Sequence, residues 1–212
     1  MNSKVIISLE GNIGAGKSTL THILSNELCD VEFIDEPVSD WLNIMDRNDK
    51  NLLEYFYQDK KRWAYTFQSV AYITRLKNIL NSTSSTIISD RSLECDYQTF
   101  AKMLRDDGYL DDIEWEAYMH WKSLYTDFMG KNIKRYYIYL KCRPEVAISR
   151  ISKRNREEER TISIDYINKL HNYHESWLSS EDNVFVFDVN EDFVNDKERI
   201  SELKDWIKSI KI

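Results

Sequence analysis

A chain of 212 residues can bury one substantial core and is short for two, so a single domain spanning 1–212 is expected. Hydrophobic residues make up 42% and charged residues 31%, the balance of a soluble globular protein and not of a disordered or fibrous one. The formal net charge of −7 argues against a nucleic-acid polymer as the main partner, although a local arginine cluster can still hold a single nucleotide.

Val5–Leu9 is β-branched and apolar and predicts a buried strand. It runs directly into a glycine loop, leaving no room for a signal or transit peptide and pointing to a cytoplasmic protein. No apolar run approaches the ~18–20 residues that cross a bilayer, so no membrane association is expected. Lys17–Leu28 has helical spacing, and a weaker strand, Val31–Ile34, follows. Leu52–Leu80 reads as one long helix with Leu53, Phe56, Tyr57, Ala64, Phe67, Ala71 and Ile79 mostly on one face. Thr86–Ser89, Tyr136–Leu140 and Val184–Phe187 predict three further strands. Ile113–Met129, Glu145–Ser152 (opened by Pro144), Ile164–Leu178 and Asp196–Ile210 predict helices.

Strands alternating with helices imply a parallel sheet covered by helices, with ligands beyond the carboxyl ends of its strands. The chemistry-bearing segments fall there: Gly11–Ser18, Glu36, Asp90-Arg91 and Asp188–Asp192. Gly11-Asn12-Ile13-Gly14-Ala15-Gly16-Lys17-Ser18 fits G-x-x-x-x-G-K-[ST], the phosphate-binding loop. Glycines let backbone N–H groups turn inward on phosphates, the lysine reaches the β and γ oxygens, and the serine hydroxyl can ligate Mg²⁺. The helix opening at Lys17 adds its positive dipole end.

Glu36 follows the second strand, as a general base for an attacking hydroxyl would, or as a solvated loop carboxylate. Asp90 can hold Mg²⁺ through water and Arg91 can brace a transferring phosphoryl group; a surface ion pair is the ordinary alternative. Arg150, Arg154, Arg156 and Arg160, interrupted by Glu157–Glu159, form either a solvated helix face or a lid at about 150–160 that closes over phosphates. Asp127 to Gly130 spells D-x-x-G but ends a helical stretch, and no N-K-x-D signature accompanies it, so a GTPase is not expected. Asp188, Asn190 and Asp192 imitate a calcium loop, but Phe193 and Arg199 stand where glycine and glutamate are required. Cys29, Cys95 and Cys142 are expected as reduced, buried thiols, and His171 and His174 carry no metal-ligand spacing.

Together these residues resemble the deoxycytidine/deoxyguanosine kinase group of deoxynucleoside kinases. The resemblance covers nearly the whole chain: Glu10–Thr19 (EGNIGAGKST), Glu36-Pro37-Val38 with Trp41, Arg62-Trp63, Thr66-Phe67-Gln68, Asp90-Arg91-Ser92, His174–Leu178 (HESWL) and Asp188–Phe193 (DVNEDF). It implies a P-loop kinase fold, an α/β five-stranded parallel sheet with helices on both faces, usually a homodimer through a helical interface. It implies transfer of the γ-phosphate of ATP, with Mg²⁺, to a deoxynucleoside 5′-hydroxyl. By resemblance Glu36 is the general base, Arg91 positions the hydroxyl, and Lys17 with Ser18 contacts phosphate and metal. Tyr57 and Glu159 match the pair that holds the 3′-hydroxyl. Gln68 matches the amide that reads the base, with Phe67 and Phe100 stacking and Trp41 and Leu53 lining the pocket. Arg154 and Arg156 match lid arginines, and Glu191, Asp192 and Phe193 match the loop holding the donor's base, largely through backbone.

Two departures are visible: Asp90 stands where the family often has glutamate, and Phe56 where cytidine-preferring relatives carry methionine. Arg75 and Asp96 match a polar pair of the cytidine- and purine-preferring members, which implies preference for a deoxypurine or deoxycytidine over thymidine. A nucleoside monophosphate kinase shares the loop and the sheet but would need more basic residues for the acceptor phosphate. A non-catalytic accessory subunit would have no need of Lys17, Ser18, Glu36 and Arg91 together.

Overall fold

The computed structural model describes residues 4–129, 133–156, 159 and 162–210. Glu157, Glu158 and Arg160 of the expected lid, and Gly130, lie outside the described residues.

Five strands, β1 (Lys4–Glu10), β2 (Glu32–Ile34), β3 (Thr86–Asp90), β4 (Ile133–Lys141) and β5 (Val184–Asp188), form one parallel sheet in the order β2-β3-β1-β4-β5. Both faces are covered, as in parallel sheets generally. Strand alternation divides the core. Val5, Ile7 and Leu9 point to the side packed by α1 (Lys17–Ser25), α8 (Pro144–Arg154) and α10 (Lys197–Ser209). Ile6 points to the opposite side, with Tyr72 and Ile79 of α4 (Lys60–Asn81) and Tyr118 of α7 (Asp112–Met129). On that side Cys95, Tyr137 and Tyr139 also meet Trp177 and Leu178 of α9 (Ile164–Leu178).

The predicted strands are all present, with bounds shifted by one to three residues. The single helix expected over Leu52–Leu80 is instead two, α3 (Leu52–Gln58) and α4, broken at Asp59. Asp59 leaves helical geometry (φ −144°, ψ 81°), its N–H still bonds to Tyr55 O, and its carboxylate caps α4 by accepting from Arg62 N. An aspartate competes well for such backbone donors, which is why it ends one helix and starts the next. At the head of α3, Asn51 accepts from Glu54 N and donates to the Glu54 carboxylate, a reciprocal cap. Short elements without a periodic signal also occur: α2 (Val38–Leu42), α5 (Leu93–Cys95), a π-helical turn over Asp96–Ala101 and α6 (Lys102–Asp106). Cys95 and Cys142 are buried thiols as expected, whereas Cys29 is exposed, because it stands in the polar stretch after α1.

Candidate active site

The carboxyl ends of β1, β3 and β2 lie side by side, with Leu9 in register with Asp90 and Ile34 with Ser89. That register brings the glycine loop, Asp90-Arg91 and Glu36 to the rim of one cavity of about 500 Å³. The glycines are demanded by close approach. A Cβ on Gly11 would sit 2.7 Å from the Leu140 carbonyl, and one on Gly14 2.6 Å from that of Ala147. Both have positive φ, 141° and 78°, which a side chain resists.

Lys17 is buried, with Nζ 3.4 Å from the Asn12 carbonyl and 4.0 Å from Asp90 Oδ1. Burial, then Arg91, lowers its pKa, so the site favours an added anion. Burial raises the Asp90 carboxyl, although Lys17 pulls the other way. Asp90 Oδ1 has no hydrogen-bond partner among the described residues. Ser18 lines the same cavity. Hard oxygen ligands of this kind, one of them a buried and unsatisfied carboxylate, suit a small divalent cation.

Glu36 is half-buried between two guanidinium groups, Arg91 Nε at 3.3 Å and Arg75 Nη2 at 3.5 Å from Oε1. Burial alone would raise its pKa, but Arg91, Arg75 and Lys17 outweigh it and hold the carboxyl below the ordinary range. Glu36 is therefore an ionised, oriented carboxylate facing the phosphate loop. Arg91 is fully enclosed, takes a left-handed backbone (φ 66°) and donates to Gly11 O at 2.9 Å. A non-glycine residue in that conformation stores strain that only surrounding contacts can maintain.

Beyond this floor lies an aromatic slot. Phe56 and Phe67 stack at 4.5 Å, and Trp41 meets Phe67 edge-on at 5.2 Å while donating to Thr74 Oγ1. Leu53, Tyr57 and Phe100 complete the expected lining. Gln68 lines the slot, is 2% exposed, and has its buried Oε1 without a hydrogen-bond partner among the described residues. Arg75 Nε donates to Asp96 Oδ2 at 2.9 Å and Nη1 to the Asp90 carbonyl at 2.5 Å. In the segment expected to form a lid, Asn155 ends α8 in a left-handed conformation, and Arg154 Nη2 lies 2.5 and 2.7 Å from the two Glu159 oxygens. Arg156 is 3.8 Å from Glu159. Burial, Tyr166 and then Glu159 raise the Tyr57 phenol well above its usual range.

Several predicted residues do not line the cavity. Gly11, Ala15 and Gly16 shape the loop, and Asn12 ties it to α9 through Ile167 O. Thr19 is exposed on α1. Arg150 bridges the Ala15 and Val189 carbonyls, joining the glycine loop to the loop after β5. Phe193 is buried against Gly16 and Phe187, while Glu191 and Asp192 are exposed. Sequence reasoning missed Val38, Leu42, Ala71 and Tyr166, which line the cavity. Ala71 lies on the predicted face of α4, and Tyr166 donates its N–H to the Ser163 cap of α9. It also missed that Glu10, Cys95 and His174 gather behind Arg91, with ligand-type atoms within 4.8 Å of one another.

A phosphate loop at a parallel-sheet switch point, a facing carboxylate–arginine pair and a closed aromatic slot define a phosphate-loop kinase acting on a small acceptor. Residues 7–211 match the family described as deoxynucleoside kinase. The chain is 42% identical over 219 aligned positions to a probable deoxycytidine kinase of fowlpox virus (strain NVSL), covering 97% of this chain and 89% of that protein. It is 36% identical to deoxycytidine kinase 2 of Gallus gallus (96% and 89% covered) and 33% identical to the mitochondrial deoxyguanosine kinase of Xenopus laevis (96% and 88% covered). This chain belongs to the deoxynucleoside kinase family and is an ATP-dependent phosphotransferase.

Proposed function

We propose that the enzyme phosphorylates the 5′-hydroxyl of deoxycytidine or a deoxypurine nucleoside in preference to thymidine. The observation that carries this reading is the continuity of the Glu36–Arg91 floor with the Phe56–Phe67 slot and the Arg75–Asp96 pair. Glu36 accepts the proton of the 5′-hydroxyl as its oxygen forms the new bond to the γ-phosphorus. The bond from that phosphorus to the bridging oxygen breaks, and ADP leaves with the electron pair. Arg91 orients Glu36 and the hydroxyl, and Lys17 with the loop N–H groups balances the charge on the phosphates. Mg²⁺ would be held by Ser18 and Asp90 and would neutralise charge on the β and γ oxygens.

Gln68 Oε1 accepts from the exocyclic amino group of cytosine or adenine, and its amide donates to the neighbouring ring nitrogen. The Arg75–Asp96 pair occupies the space a 5-methyl group would need. Tyr57 and Glu159 hold the 3′-hydroxyl, and Arg154 and Arg156 close the lid over the transferring phosphate. Backbone of the Glu191–Phe193 loop holds the donor's base.

A homodimer is supported by exposed apolar side chains on two adjacent helices, Ile73 and Leu80 of α4 and Ile113, Trp121 and Leu124 of α7. No described helix is long and apolar enough to cross a membrane, and a cytoplasmic location is the reading we adopt. The test is a steady-state assay with ATP and Mg²⁺ against deoxycytidine, deoxyguanosine, deoxyadenosine and thymidine. Comparable kcat/KM on thymidine would sink the base preference, and turnover that survives Glu36→Ala would sink the assignment of the base.

A further inference from the structure

Ser8 and Glu10 share the face of β1 that carries Ile6, so Glu10 points into the protein behind the phosphate loop, away from the cavity. It is 0% exposed, and although neither oxygen has a hydrogen-bond partner of ordinary geometry among the described residues, the Ser92 hydroxyl and the Cys95 thiol are the donors beside it. The polar and charged side chains around it are Ser92, Cys95, Arg91, His174 and, farther off, Arg75.

These neighbours form a directed chain. His174 Nδ1 is 2.7 Å from the Leu170 carbonyl, which can only accept, so Nδ1 carries the proton. Burial keeps the ring neutral, so Nε2 is an acceptor. The atom facing it at 3.7 Å is Cys95 Sγ, whose thiol therefore donates. The sulfur in turn accepts from Arg91 Nη1 at 3.7 Å, and the Phe100 ring lies 4.8 Å from the same guanidinium. Cys95 itself is fixed by the Ser92 hydroxyl, which accepts from its N–H. By residue type Glu10, Cys95 and His174 are also a metal-ligand set. Burial keeps the thiol protonated and the adjacent guanidinium repels a cation, so the set suits a neutral brace better.

We propose that Glu10, Cys95 and His174 are positioning residues that hold the strained Arg91 against the phosphate-loop carbonyl and beside Glu36. This rests on the reading of Arg91 as the arginine that orients the base and the hydroxyl. The brace runs from β1 through Arg91 to the middle of α9, whose first turn carries Tyr166 of the cavity wall. The floor of the site and the wall nearest the lid are thus set by one buried polar chain.

The test compares Cys95→Ala, Cys95→Ser, Glu10→Gln and Arg91→Lys by kcat, KM for deoxycytidine, ATP affinity and melting temperature. A positioning role predicts that Cys95→Ala and Glu10→Gln lower kcat about tenfold with ATP affinity within about twofold. Cys95→Ser, which keeps a donor and an acceptor, restores most of the loss. Unchanged kcat in both variants while Arg91→Lys abolishes turnover overturns the brace and leaves the role of Arg91 standing. Unchanged turnover in Arg91→Lys overturns the reading beneath it, and the brace with it. Losses that follow melting temperature and ATP affinity, without rescue by serine, reduce the cluster to core packing and also overturn the proposal.

Discussion

Arg75 Nε donates to Asp96 Oδ2 at 2.9 Å while another nitrogen of the same guanidinium lies 3.5 Å from Glu36 Oε1. One buried cation therefore joins the edge of the aromatic slot to the Glu36 carboxylate that faces the phosphate loop. Replacing Asp96 with alanine leaves Arg75 without its closest counter-charge and is expected to cost about 3–5 kcal/mol in denaturant unfolding. Arg75→Leu with Asp96→Ala removes both charges, costs less than the single change, and raises kcat/KM for thymidine relative to deoxycytidine.

Glu36→Gln preserves shape and removes the proton acceptor. A fall in kcat of about 10²–10⁴, with ATP affinity retained, is expected for a general base. Single-turnover assays beside an ATP titration separate this from misfolding. Near-normal single-turnover rates would exclude Glu36 as the base.

Gly14→Ala forces a methyl group to 2.6 Å from the Ala147 carbonyl at a φ of 78°. The variant should lose about 1–3 kcal/mol of stability and bind ATP poorly, because the loop must open to relieve the contact. Thermal melts with and without ATP check both parts.

Stability should respond to pH through two buried groups of opposite sign. His174 is held neutral by burial, its pKa lowered from 6.5 to about 3. Between those values the unfolded chain binds the extra proton, so stability falls as the pH drops through that window. Glu10, raised by burial from 4.5 to about 7, takes its proton in the folded state first, so stability rises as the pH drops from about 7 to 4.5. Where the windows overlap the slopes oppose each other. Denaturant unfolding at pH 7.5, 6 and 5 should show a weak dependence in the parent, a steeper acid loss in Glu10→Gln, and an acid gain in His174→Gln.

The sheet and the phosphate loop were legible because their signals are local: apolar β-branched runs and a glycine spacing that only one backbone path satisfies. Glu36, Asp90 and Arg91 were legible because parallel strands present ligands at their carboxyl ends. The break at Asp59 was not, since apolar residues keep helical spacing across it, and only the cap on Arg62 N reveals the stop. Nor was the Glu10–Cys95–His174 cluster. Its members are 85 and 79 residues apart, and nothing in their spacing says that one strand, the short helix α5 and one late helix converge. Nor were the contacts by which Arg150 donates to the Val189 and Ala15 carbonyls and the Phe193 ring lies beside Gly16, since they join loops far apart in the chain.

The turn at Asp59 gives the slot a geometric property. Leu53, Phe56 and Tyr57 ride on a seven-residue helix, while Phe67 and Gln68 belong to the 22-residue helix after the break. Had the two been continuous, both walls would stand on one straight rod; with the break at one capped residue, the width of the slot is set by the angle between a short helix and a long one.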